Sequence, residues 1–211
     1  MFISRIELDP KRNTTRRAIS NPQVIHAAIE GCFPDKEDKD RKLWRQDCLY
    51  GNLYLLLLSP EKPDFSHFAH QFCSDGIEGE TKDYLPLLKS IRAGTKYGFR
   101  LRANPTHSIS KGLSERGKVY SHVTVEQKKD WLMKKAVMFG FTLNDHLFDV
   151  VGVDHLRFWR SNKERSVELG VAIYEGELEV TDSELFRQAL TQGIGRAKAY
   201  GCGLLTVAST R

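Results

Sequence analysis

No long hydrophobic run, no dense cysteine framework and no excess of acidic residues occur in this chain of 211 residues. The longest apolar stretch, Leu53 to Leu58, falls far short of the ~20 residues that a membrane-spanning helix requires. No membrane partner is therefore expected. The four cysteines, Cys32, Cys48, Cys73 and Cys202, include no Cys-x-x-Cys pair, which argues against a disulfide scaffold and for reduced thiols. Met1 leads straight into a strand-like segment charged at Arg5 and Glu7, so no secretory leader is predicted and the expected location is the cytoplasm. Two phosphate-binding signatures are missing as well. There is no Gly-Lys-Ser/Thr, and Lys198 stands where G-x-G-x-x-G would need its third glycine. What is present is 40% hydrophobic residues, enough for a packed core, and a net charge of +5. That charge favours a polyanionic partner, although it also serves solubility.

The length accommodates one large domain or two of about 100 residues each, and the order of elements favours two. Phe2 to Leu8 alternates like a half-buried strand. Asn21 is a good N-cap, and Pro22 suits the first position of a helix running to about Cys32. Leu43 to Tyr50 and Leu53 to Ser59 read as strands joined at Gly51-Asn52, Asp64 to Cys73 as a helix, and Leu85 to Ile91 as a weaker strand. The order then repeats. Tyr97 to Asn104 is a strand stopped by Pro105. Thr124 and Gln127 form a capping box for a helix to about Phe139. Val150 to Arg160 and Ser166 to Tyr174 pair as strands, with Glu177 to Val180 extending the sheet. Asp182 caps a helix ending at Gly193, and Leu204 to Ala208 closes the set. Two βαββαβ units predict an α+β protein of two tandem ferredoxin-like, RRM-like domains, residues 1–93 and 97–211. Such a fold hosts many functions and does not choose among them.

The densest local signal is Gly193-Ile194-Gly195-Arg196-Ala197-Lys198-Ala199-Tyr200-Gly201-Cys202-Gly203-Leu204-Leu205. Glycine permits left-handed torsions and close approach of another chain. If a helix begins after Gly195, its free N–H groups and positive dipole end would favour a phosphate on Gly193, Gly195, Arg196 and Lys198. A helix C-cap at Gly193 followed by a glycine-permitted turn explains the same residues. Local chemistry leaves both open.

This block resembles the glycine-rich C-terminal signature of the CRISPR repeat-RNA endonucleases, in particular the CasE branch. Two further stretches match in order: Ile25-His26 with Phe33-Pro34 near the N-terminus, and Phe99-Arg100-Leu101-Arg102-Ala103-Asn104-Pro105 in mid-chain. The resemblance spans essentially the whole chain and implies the same tandem ferredoxin-like fold. It implies binding of the CRISPR repeat RNA stem-loop, cleavage of precursor crRNA, and retention of the mature crRNA beside other Cascade subunits. The implied cleavage needs no metal. A 2′-OH attacks the adjacent phosphorus, leaving a 2′,3′-cyclic phosphate and a 5′-OH.

His26 is where the resemblance places the catalytic histidine. On a helical wheel it sits at the edge of the polar side, so pattern alone leaves it a surface residue. Imidazole can act as acid or base near neutral pH, each step being worth about 10²–10⁴-fold. Which step His26 performs stays open. Family members often carry a tyrosine three residues earlier. Here that residue is Gln23, which can hydrogen-bond substrate but cannot usefully transfer a proton, so Tyr200 and Lys198 become candidates if folding brings the two ends together. Glu30, one turn beyond His26, either holds the ring or is a solvated helix charge.

RNA contacts are expected from Arg100 and Arg102, which share one strand face opposite Phe99, Leu101 and Ala103. The alternative is a solvated sheet face. Further contacts are expected from a basic hairpin carrying His155, Arg157, Arg160, Lys163 and Arg165, the type of element that adds salt-dependent affinity to A-form RNA. Phe158 and Trp159 could stack bases, but adjacent strand residues face opposite sides, so one should pack in the sheet. Lys111, Arg116 and Lys118 extend the positive trend. His67, His70 and Cys73 are spaced by three on a helix but lack a fourth ligand, so neither a metal nor a cofactor is predicted. A guide-RNA-holding protein with weak or no cleavage, and a generic RNA-touching structural subunit, are the rival readings.

Overall fold

The computed structural model of the chain describes residues 1–33, 41–109, 118–159 and 166–210. Its first unit is built on β1 (Phe2–Leu8), which pairs antiparallel with β3 (Asn52–Ser59) on one side and with β4 (Glu80–Asp83) on the other. β2 (Leu43–Leu49) completes the order β2-β3-β1-β4. The β2–β3 turn is Tyr50-Gly51, with φ of 52° and 84°. It lies one residue earlier than the Gly51-Asn52 signal suggests, because the ladder already pairs Leu49 with Asn52.

Three helices cover one face of this sheet. α1 (Asn13–Ser20) was not expected from sequence, and α2 (Pro22–Glu30) and α3 (Ser66–Phe72) were. The α1 segment buries only Thr15 and Ala18, and its hold is polar, with Thr15 Oγ1 donating to the Phe72 carbonyl at 3.0 Å. α2 starts where its cap predicts: the Asn21 side chain accepts from the Gln23 N–H at 3.1 Å, and Pro22 occupies the first turn. Ile25 and Ile29 of α2 pack on Ile6, Leu8, Trp44, Leu55 and Leu57, all buried. Full burial of each such aliphatic side chain contributes about 1.5–3 kcal/mol.

Leu85 to Ile91 is not a strand. Leu85–Ser90 forms a short helix, α4, with Pro86 in its first turn, and the sheet's edge strand is instead the polar β4. The apolar residues of Leu-Pro-Leu-Leu-Lys-Ser-Ile mimic a buried strand. Leu88 and Ile91 point instead into a core shared with the second unit.

The second unit has sheet order β10-β5-β9-β8. β5 (Lys96–Ala103) alternates buried Tyr97, Phe99, Leu101 and Ala103 with less buried partners, as the sequence pattern requires. A two-stranded insertion follows, β6 (Thr106–Ile109) with β7 (Lys118–Ser121). α5 (Val125–Met138) begins at the predicted capping box: Thr124 Oγ1 accepts from the Gln127 N–H, and Gln127 Oε1 accepts from the Thr124 N–H. β8 (Phe141–Trp159) and β9 (Ser166–Val180) form one long ladder with register shifts between Leu143 and Phe148 and between Val150 and Gly152. α6 (Ser183–Gln192), capped by Asp182, and β10 (Leu205–Ser209) complete the unit.

The fold is therefore α+β, with two tandem ferredoxin-like units, each a four-stranded antiparallel sheet. The units share a seam. Leu43 and Leu58 of the first sheet lie in the same core as Phe99, Leu101, Phe186 and Leu204 of the second. Among the described residues, no helix is long and apolar enough to cross a membrane.

Candidate active site and nucleic-acid interface

A buried ion network crosses the seam between the units. On β2, residues two apart face the same way, so Arg45 and Asp47 point together toward the second sheet, each with 2% of its side chain exposed. Arg45 Nε donates to Asp47 Oδ1 at 2.8 Å, and one terminal nitrogen donates to Asp47 Oδ2 at 2.7 Å. That nitrogen also reaches Thr206 Oγ1 at 2.9 Å, and its twin reaches the carbonyls of Arg100 at 2.9 Å and Leu204 at 3.0 Å. The whole guanidinium fork is thus hydrogen-bonded, which is what a buried charge needs. Burial pushes the Arg45 pKa down, and Asp47 opposes that shift.

This network changes the reading of β5. Arg100 lies 3.2 Å from Asp47 and 2.6 Å from Glu175, and Arg102 donates to the Tyr200 and Gly201 carbonyls at 3.3 and 3.2 Å, with Asp154 at 3.7 Å. The two arginines do share a face. That face is only partly solvated, and its guanidinium groups brace the inter-unit seam and the glycine-rich loop.

The glycine-rich block folds as its plainer interpretation has it. Gly193 (φ 73°) ends α6, and no α-helix starts after Gly195; a three-residue 3-10 turn, Lys198–Tyr200, takes its place between left-handed Ala197 and Gly201. Gly201 is required, because a Cβ there would lie 2.8 Å from the Trp44 ring at a φ of 76°. The loop is tied down by Ile194 N–H to the Gly203 carbonyl at 2.9 Å and by Gly203 N–H to the Arg102 carbonyl at 2.7 Å. The Lys198–Tyr200 turn thereby lies against α2 and β2. The two ends of the chain meet at the helix that carries Gln23 and His26.

His26 is one-third exposed, and its Nδ1 stands 3.9 Å from Glu30 Oε1, beyond hydrogen-bond reach. The other oxygen of Glu30 pairs with Lys42 Nζ at 3.3 Å. Glu30 therefore does not clamp the ring, and His26 and Gln23 are both partly exposed on the helix that the terminal turn contacts. Lys198 is half-buried and Arg196 is exposed. Burial, then the charge of Arg41, lowers the pKa of Lys198 from the ordinary lysine value.

On the β8–β9 hairpin Arg157 is exposed and lies 3.3 Å from Glu168 on the adjoining strand. Arg160, Lys163 and Arg165, like Lys111 and Arg116, lie outside the described residues. Of the two adjacent aromatics, Phe158 is buried edge-on against the Tyr200 ring at 4.8 Å, and Trp159 is exposed. The alternation rule thus separates a packing residue from a possible stacking platform. His67 Nε2 contacts the Gln71 side chain at 2.7 Å and Cys73 is buried in the first core. Arg45 and Asp47 were not singled out in the sequence, although two opposite charges at strand spacing inside an apolar segment were a readable signal.

The two four-stranded sheets, with the terminal loop folded back on a histidine-bearing helix, define a tandem ferredoxin-like protein. Residues 1–209 match the family model described as CRISPR associated protein, and the chain belongs to that family. It is 28% identical over 226 aligned positions to the CRISPR-associated endoribonuclease Cse3 of Thermus thermophilus, covering 99% of this chain and 100% of that one. It is 31% identical over 196 positions to the CRISPR system Cascade subunit CasE of Escherichia coli K12, covering 87% and 90% respectively. Among solved structures, CRISPR endoribonuclease Cse3 bound to a 19-nucleotide RNA superposes with a TM-score of 0.83 at 26% identity, over 99% of this chain and 100% of that one.

Proposed function

We propose that this chain is a CRISPR repeat-RNA endoribonuclease. It binds the repeat stem-loop, cuts precursor crRNA beside the stem, and keeps the mature crRNA as a subunit of a Cascade-type assembly. The observation that carries this reading is the meeting of the Lys198–Tyr200 turn with the helix bearing Gln23 and His26. The contact between helix and turn supports a reading in which a proton-transfer group works with cations from the opposite end of the chain. The names of the similar proteins, an endoribonuclease and a Cascade subunit, agree with it.

In this reading the 2′-oxygen attacks phosphorus, and the 5′-oxygen leaves with a proton. The products are a 2′,3′-cyclic phosphate and a 5′-OH. His26 performs one of the proton transfers, and the Gln23 amide positions a substrate oxygen. The attacking oxygen belongs to the RNA itself, so the reaction as written needs no metal-bound water. Arg157, Arg160, Lys163 and Arg165 contact the stem backbone, with Arg196 nearer the cut. Arg100 and Arg102 act on RNA through the loop and seam that they brace. The protein works as one body, residues 1–93 supplying the histidine and 97–211 the loop and hairpin.

Gln23 favours a second reading, a crRNA-hairpin-binding subunit that cleaves weakly, because an amide cannot usefully exchange protons near neutral pH. One experiment separates the two: incubation in EDTA with the hairpin of the source organism's own repeat. The comparison is wild type, His26→Ala, and a substrate 2′-deoxy just upstream of the cut. Cleavage by wild type alone, lost by at least about 10²-fold with either change, is the expected result. Tight binding of the hairpin without cleavage would replace the endoribonuclease with the binding subunit.

A further inference from the structure

Most cations around the site already have anionic or carbonyl partners. Arg45 is held by Asp47, Arg100 by Asp47 and Glu175, Arg102 by loop carbonyls and Asp154, and Lys42 by Glu30. Lys198 differs. Its stem is pressed against Gly203, where an added Cβ would come 3.2 Å from Lys198 Cγ. Its backbone turn is seated on α2 and β2. Among the described residues it makes no ion pair, and its charged neighbour is a second cation, Arg41, which makes none among them either. Burial and Arg41 both disfavour the charged form of Lys198. A half-buried cation in the field of another cation is stabilised by a bound anion. Three successive N–H groups, those of Gly195, Arg196 and Ala197, donate to no carbonyl among the described residues. They flank the same turn with left-handed torsions at Gly195 and Ala197.

We propose that Lys198 seats the scissile phosphate of the RNA against the His26 helix and stabilises the negative charge that builds on its non-bridging oxygens. This rests on the endoribonuclease reading above and adds to it a catalytic residue that transfers no proton. As the 2′-oxygen forms its bond to phosphorus its proton passes to a base, and the phosphorus–5′-oxygen bond breaks as that oxygen gains a proton. Between these events the five-coordinate phosphorus group carries more negative charge than the starting diester. Lys198 keeps its proton throughout and acts on that difference, which the neutral Gln23 amide cannot do.

The test uses the full-length protein, Lys198→Gln and Lys198→Arg, each checked for folding by thermal melting. Single-turnover cleavage of the repeat hairpin is measured in EDTA at saturating enzyme, and binding is measured with the 2′-deoxy hairpin. Lys198→Gln should lower the saturating rate by about 10²-fold, the scale of losing one preorganised donor, with Kd rising less than about tenfold. Lys198→Arg should restore most of the rate. In parallel, wild-type protein is acylated with and without saturating 2′-deoxy hairpin and read by mass spectrometry. Lys198 should be protected and Lys82 should stay reactive. An unchanged saturating rate for Lys198→Gln, or equal acylation of Lys198 with and without RNA, overturns the proposal. If wild type does not cut at all, the endoribonuclease reading fails by itself, and the acylation result alone decides whether Lys198 meets the phosphate. The same result decides the matter should Lys198→Gln fail to fold.

Discussion

Replacing Asp47 by alanine should unfold this protein more effectively than removing most of its large apolar side chains. The carboxylate is 2% exposed and takes the Nε and one terminal N–H of Arg45, with Arg100 at 3.2 Å. Its loss leaves a guanidinium that is itself 2% exposed without its anionic partner. Breaking a buried pair from one side costs about 3–5 kcal/mol. For a chain of this length that corresponds to a fall of roughly 6–20 °C in Tm, at about 2–4 °C per kcal/mol. The assay is urea unfolding followed by both tryptophan fluorescence and circular dichroism, so that a split transition would reveal the units separating. The double variant Arg45→Met with Asp47→Leu leaves no lone charge and should recover part of the loss. It should not recover all of it, because the Leu204 carbonyl loses the donor that Arg45 supplies across the seam. A loss below about 1 kcal/mol for Asp47→Ala would show that water reaches the pair and would refute the buried-clamp argument.

Two further outcomes follow from packing. Gly201→Ala should lose about 1–3 kcal/mol to overpacking against the Trp44 ring and should slow RNA cleavage. Gly94→Ala has a similar φ of 81° but open space around the Cβ position. It should lose only the torsional part, about 1 kcal/mol, and cleave normally; equal losses at the two sites would refute the contact. Of the four thiols only Cys48 is exposed, whereas burial pushes Cys32 up to about 12 and Cys73 and Cys202 up to about 11. With Ellman's reagent at pH 8, one thiol should react rapidly in the native protein and all four in guanidinium chloride. Two or more rapid thiols would contradict the packing.

The elements legible in the sequence are those whose signal is local. The alternation of β1 and β5, the capping box at Thr124 and the cap at Asp182 each report a hydrogen bond or a burial pattern made within a few residues. The missed elements depend on distant partners. α1 is held by the Thr15 hydroxyl on a carbonyl 57 residues away, and β4 is a charged edge strand whose pairing is visible only beside β1. α4 was misread because its apolar residues serve the core shared between the units, which a strand pattern imitates. The site divides in the same way. The glycine block stood out by its own composition and His26 only through the resemblance to a family, and their meeting was stated only as a condition, since nothing local to either segment encodes it. Arg100 shows the reverse case. Its face was assigned correctly from period-two alternation and its surroundings were not, because the residue that neutralises it, Asp47, sits 53 positions earlier on another sheet. Buried opposite charges at i and i+2 in an apolar strand are costly unless something across the interface completes them. The Arg45-x-Asp47 pair therefore announced an inter-unit contact, and reading it that way would have given Arg100 an anionic partner before the fold was known.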